Sequence, residues 1–117
     1  MSRTKNLQFS EGETWVIDAT FTDSDGVALN LTGATVSWVV ATRPGQAAIV
    51  TATTGNGLIV VNAVPTTGLA TITVPYASHS AALPKSYKHE AKVTLASGEV
   101  TVQFRGRLTV YDSLYVV

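Results

Sequence analysis

Asp23-Ser24-Asp25-Gly26 has the acidic, glycine-marked opening of a calcium loop, and Asn30-Leu31-Thr32 has the form of an N-glycan acceptor. A helix–loop–helix calcium site needs a glycine at its sixth loop position and a bidentate glutamate at its twelfth. Counted from Asp23, those positions hold Ala28 and Ala34. The stretch is therefore expected to be a β-turn, in which an aspartate side chain bonds its own backbone and Gly26 supplies positive φ. The opening residues MSRTKNLQFSEGE are partly basic but lack the apolar run of a secretory leader. Without secretion the acceptor match has no use, and Asn30 and Thr32 are expected to bond the loop backbone.

The remaining reactive side chains are sparse. His79 and His89 are the two histidines, one between Pro75 and Pro84 and the other on the apolar side of a strand. Two histidines without a clear nucleophile or clustered carboxylates are a thin base for catalysis, and the protein is read as a non-enzyme. Asp18, Glu11 and Glu13 fit an acidic edge equally well. Trp15, Trp38 and Tyr87 offer a sugar-stacking platform only if exposed, yet both tryptophans fall on inward stripes and are expected in the core. No cofactor and no metal are expected.

The elements that hold these residues follow from composition and period. The 117 residues fit one domain and include no cysteine, which excludes disulfides, thiolate metal sites and cysteine nucleophiles. Net charge is zero and 14% of residues are charged, against a nucleic-acid partner bound through phosphates. The apolar runs are far too short to span a membrane as helices. Helical periodicity is nearly absent, whereas alternation is general. Trp15, Ile17, Ala19 and Phe21 share a face, as do Val36, Trp38 and Val40, and Ala70, Ile72 and Val74. Glycine turns separate these runs, which predicts an all-β antiparallel sandwich of seven to eight strands. At most one short helical turn is expected, within Ala77–Leu83.

The last hairpin can be registered by parity. A two-residue Ser97-Gly98 turn sets Val93 opposite Val102, Ala91 opposite Phe104, His89 opposite Gly106 and Tyr87 opposite Leu108. Lys88, Lys92, Arg105 and Arg107 then share the outward face, relieved by Glu90. They form either a docking patch for an acidic partner or a charged cover that keeps the sheet from pairing.

TFTDSDGVALNLTGATVSW, GLIVVNAVPTTGLATITVP and LPKSYKHEAKVTLASGEVTVQFRGRLTV, in this order, resemble small phage and prophage structural proteins. The pattern is similar to the immunoglobulin-like N-terminal domain of baseplate upper proteins and related tail modules, over roughly residues 14–110. Two residues fit that architecture independently: Trp38 on the third strand, and Tyr87 placed for a tyrosine-corner bond. The polar residues 1–6 are expected to form an N-terminal arm. The resemblance implies an immunoglobulin-like sandwich, placed over residues 7–110. It also implies a non-enzymatic virion protein, a tail, baseplate or neck adaptor assembled in the bacterial cytoplasm. Its partners would be other virion proteins and copies of itself, as a homo-oligomer or ring. A capsid-surface decoration protein and a carbohydrate-binding module are the alternatives. The apolar segment 111–117 either extends the last strand on its own domain or docks on a neighbour's sheet through Tyr111, Leu114, Tyr115, Val116 and Val117.

Overall fold

In the computed structural model, which describes residues 3–112, the alternation of the sequence becomes an alternation of burial. Strand β3 (Trp15–Thr20) buries every second residue, as do β4 (Thr35–Ala41), β7 (Leu69–Val74) and most of β8 (Lys85–Thr94). The other strands are β1 (Arg3–Thr4), β2 (Leu7–Ser10), β5 (Val50–Thr53), β6 (Ile59–Val61) and β9 (Val100–Tyr111). The larger sheet runs β1-β9-β8-β4-β5, with β2 also beside β9, and the smaller runs β3-β7-β6. This is the expected immunoglobulin-like sandwich, of eight strands when β1 and β2 count as one interrupted strand. All ladders are antiparallel except those of β1 and β2 on β9. The crossover between the sheets carries α1 (Tyr76–His79), and a 3-10 turn at Pro65–Thr67 adds a second helical turn to the one expected.

Trp15, Trp38, Phe21, Phe104, Ile72 and Leu108 are the largest fully buried side chains between the sheets. Leu29 and Leu31 pin the β3–β4 connection to this core, Leu31 being fully covered. Above them the turn has the expected form. Asp23 Oδ1 accepts from the amides of Asp25 (2.9 Å) and Val27 (3.0 Å), and Gly26 has φ +81°. Asn30 Oδ1 likewise accepts from the Thr32 amide (3.1 Å) and hydroxyl (2.7 Å). The outer edge of β5 is closed by one side chain: Asn56 accepts from the Thr53 amide and donates to the Thr51 carbonyl, each at 3.0 Å.

Two expectations are corrected. Residues 1–6 read as a free polar arm, yet Arg3 and Thr4 pair with Phe104 and Arg105 of β9. Backbone pairing needs no apolar side chains, and the edge of β9 offers unpaired amides and carbonyls to satisfy. The β8–β9 turn has three residues, because the Leu95 amide bonds the Glu99 carbonyl and the Gly98 amide bonds the Leu95 carbonyl, each at 2.8 Å. This shifts the near half of the hairpin by one, so Val93 faces Thr101. A bulge at Gln103 then restores the predicted register, with Ala91 on Phe104, His89 on Gly106 and Tyr87 on Leu108.

The bulge turns Gln103 inward although its neighbour Phe104 also points inward. Gln103 Oε1 accepts from the Thr22 amide at 3.1 Å, tying β9 to the end of β3 across the two sheets. Replacing Gln103 with Leu leaves that amide without its acceptor, and should lower stability by about 1–3 kcal/mol in urea unfolding without changing the m-value.

Candidate functional site

The β8–β9 register decides which charges meet on the outer face of the large sheet. Lys88 stands opposite Arg107 and Glu90 opposite Arg105, and on the other side Val39 and Ala41 of β4 face Glu90 and Lys88. Beyond β4 the chain makes a turn at Arg43-Pro44-Gly45-Gln46, with Gly45 at φ +85° and the Gln46 amide bonded to the Arg43 carbonyl at 3.2 Å. Proline followed by a positive-φ glycine is the signature of a type II turn. The turn and the sheet face enclose a concavity of 750 Å³, with Thr4 and Asn6 on its opposite rim. Arg43, Lys88, Arg105 and Arg107 line it against one carboxylate, Glu90.

Of the expected cations, Lys88, Arg105 and Arg107 are brought together, whereas Lys92 lies beyond the bulge, paired with Val102 and Ser37, and outside the concavity. Arg43 was not legible as a member. It belongs to no alternating run, and only the Pro-Gly turn that follows signals that the chain folds back there. Tyr111 ends β9, half-exposed and paired with Ser10. Leu114, Tyr115, Val116 and Val117 lie outside the described residues.

The rim at Thr4 and Asn6 is fixed from within. Trp38 Nε1–H donates to His89 Nδ1 at 3.1 Å, and His89 Nε2 lies 2.6 Å from the Lys5 carbonyl oxygen. An indole N–H can only donate and a carbonyl can only accept. His89 is therefore neutral, with its proton on Nε2. The Lys5 amide bonds the Arg105 carbonyl at 2.8 Å, and Asn6 Oδ1 accepts from the Arg107 amide at 3.1 Å. Lys5 and Asn6 thus indent the strand between β1 and β2, and the inserted carbonyl occupies the place of a side chain at residue 106. A Cβ on Gly106 would fall on the Lys5 carbonyl oxygen and within 2.9 Å of Asn6 Oδ1. Burial pushes the His89 imidazole below its ordinary value of 6.5; its bond to the Lys5 carbonyl acts the other way, and the Lys5 charge adds to the lowering.

The other histidine is also built into the core. His79 stacks on Trp15 with centroids 3.9 Å apart, Trp15 stacks on Phe9 at 5.0 Å, and His79 Nε2 donates to the Glu13 carbonyl at 2.6 Å. Tyr87 makes the expected corner bond, donating to the Leu83 carbonyl at 2.7 Å; burial raises its phenol and that bond partly opposes the rise. Trp15 and Trp38 are fully buried, so neither contributes to a surface platform for a sugar ring. Among the described residues no group of three or more His, Asp or Glu is placed to hold a metal ion. The outer face can therefore offer charge, shape and rigidity. Compared with known proteins, the chain matches no family model and no curated relative.

Because the folded ring takes up its proton at lower pH than the unfolded one, the unfolded chain binds more protons below pH 6.5. Stability from His89 should be complete above that pH and decline as pH falls toward the depressed folded value. Urea unfolding across this range should show that decline in the wild type and its loss in His89→Gln, which is less stable at neutral pH. Gly106→Ala should cost about 1–3 kcal/mol by expelling the Lys5 carbonyl, with faster amide exchange at Lys5 and Arg107.

Proposed function

We propose that this protein is a non-enzymatic structural subunit of a bacteriophage particle, an adaptor or accessory component of the tail, baseplate or neck. The observation that carries the reading is the pairing of a rigid, charged concavity on the large sheet with reactive side chains that are spent on structure. Both imidazoles lie in the core, His89 bonded through both ring nitrogens and His79 through Nε2, and the tryptophans are packed between the sheets. Arg43, Lys88, Arg105 and Arg107 present positive charge on a sheet face whose rim is held by buried bonds. Such a surface suits recognition of an acidic protein partner, because its charge is complementary and the backbone that carries it is already ordered.

The order of strands and turns supports the same reading through its resemblance to small phage structural proteins. The mechanism is geometric. A stiff sandwich holds its contact surfaces at fixed separation, and the symmetry of a particle multiplies individually weak contacts.

Cryo-EM of virions from a host expressing a tagged copy tests the assignment. Density at the tail, baseplate or neck is expected. Density on the capsid surface would replace the proposed role with that of a decoration protein, and absence of the protein from particles would overturn the virion assignment.

A further inference from the structure

We infer that the chain docks on copies of itself head to tail, with the Asp23–Val27 turn of one copy seated in the basic concavity of the next. This deepens the reading of the chain as an assembly subunit and rests on it. The first observation is the distribution of charge in a chain whose sum is zero. Eight cationic and eight acidic side chains are present, and four of the cations line the concavity with one of the acids, Glu90. That face carries a local excess of three positive charges (four minus one), so the other residues carry an excess of three negative charges (seven minus four). A neutral molecule whose charge is unevenly distributed is attracted to its own copies in preferred orientations.

The second observation is the turn itself. Residues 23–28 are all exposed, and Val27 presents an apolar side chain at 60% exposure. The segment is ordered before it meets a partner. The Asp23 carboxylate bonds two of its amides, the Asp23 amide bonds the Val27 carbonyl at 2.8 Å, and Thr22 bridges Ala28. Asp25 lies at the tip and contributes only its backbone amide to this network. A preformed acidic knob with one apolar side chain complements a basic concavity with Val39, Ala41 and Pro44 in its lining. The concavity's 750 Å³ falls in the range that takes a few side chains.

The geometry of the two surfaces sets the symmetry. The knob follows β3 at the end of the sandwich where Gln103 meets Thr22. The concavity reaches from residues 105–107 to the turn beyond β4 at the opposite end. In a head-to-tail arrangement, where the knob of each copy enters the concavity of the next, the contact is heterologous and closes into a ring or continues as a filament.

Sedimentation velocity on the full chain, from micromolar to near-millimolar concentration, tests this. Wild type should self-associate, less so as salt rises. Asp25→Lys and Lys88→Glu alter exposed side chains and should keep the wild-type melting curve, while each weakens self-association on the order of a hundredfold. An equimolar mixture of the two variants should associate again, because it reunites an intact knob with an intact concavity. A wild type that stays monomeric throughout overturns the self-docking, and leaves the virion assignment to be decided on particles. Variants that associate like wild type, or a mixture that stays monomeric, also overturn it. Loss of association on Glu11→Lys but not on Asp25→Lys would assign the contact to the β2–β3 turn and overturn it equally.

Discussion

The bond from the Trp38 indole to His89 is the constraint on which the large sheet depends. An indole N–H buried without an acceptor costs a few kilocalories per mole, so Trp38 requires an acceptor at its ring edge. His89 supplies one only as the neutral tautomer, which leaves a donor on its far nitrogen. That donor reaches the Lys5 carbonyl, and the N-terminal strand is thereby drawn into the sandwich instead of lying beside it. Gly106 is the necessary void, since any side chain there would displace the carbonyl. Four residues from four segments thus fix one another, and the rim of the outer concavity follows from their agreement.

The end of the sandwich from which β3 and β8 start is built by the same logic with other partners. Phe9, Trp15 and His79 form a stack that closes the core beneath α1, and Tyr87 anchors the crossover to the start of β8. Side chains that commonly do chemistry are here acceptors, donors and flat packing surfaces. What the molecule leaves for its surroundings is an uneven surface charge, basic around the concavity of the large sheet and acidic over the remainder.

Much of this was legible in the sequence, for identifiable reasons. Strict alternation fixed the inward faces of β3, β4, β7 and β8, because a slip of one residue would expose Trp15 or Trp38. The turn chemistry of Asp23, Gly26 and Asn30 is local and so is visible locally. The pairing of His89 with Gly106 was visible by parity, although the use of the vacant space was not, since Lys5 is distant in sequence. The three-residue turn at Ala96-Ser97-Gly98 is not specified locally, because two turn lengths suit the same glycine, and only the bulge at Gln103 reconciles it with the far half of the hairpin. Arg43 and the strand at Arg3–Thr4 were missed because neither lies in an apolar alternating run.

A neutral His89, accepting from Trp38 and donating to Lys5, locks the N-terminal strand into the sheet. Nitrogen-15 NMR of the His89 ring at neutral pH tests it most directly. An unprotonated Nδ1, a protonated Nε2 and a Trp38 indole proton coupled to Nδ1 across the hydrogen bond are expected. A protonated Nδ1, whether as the other tautomer or as imidazolium, would contradict it.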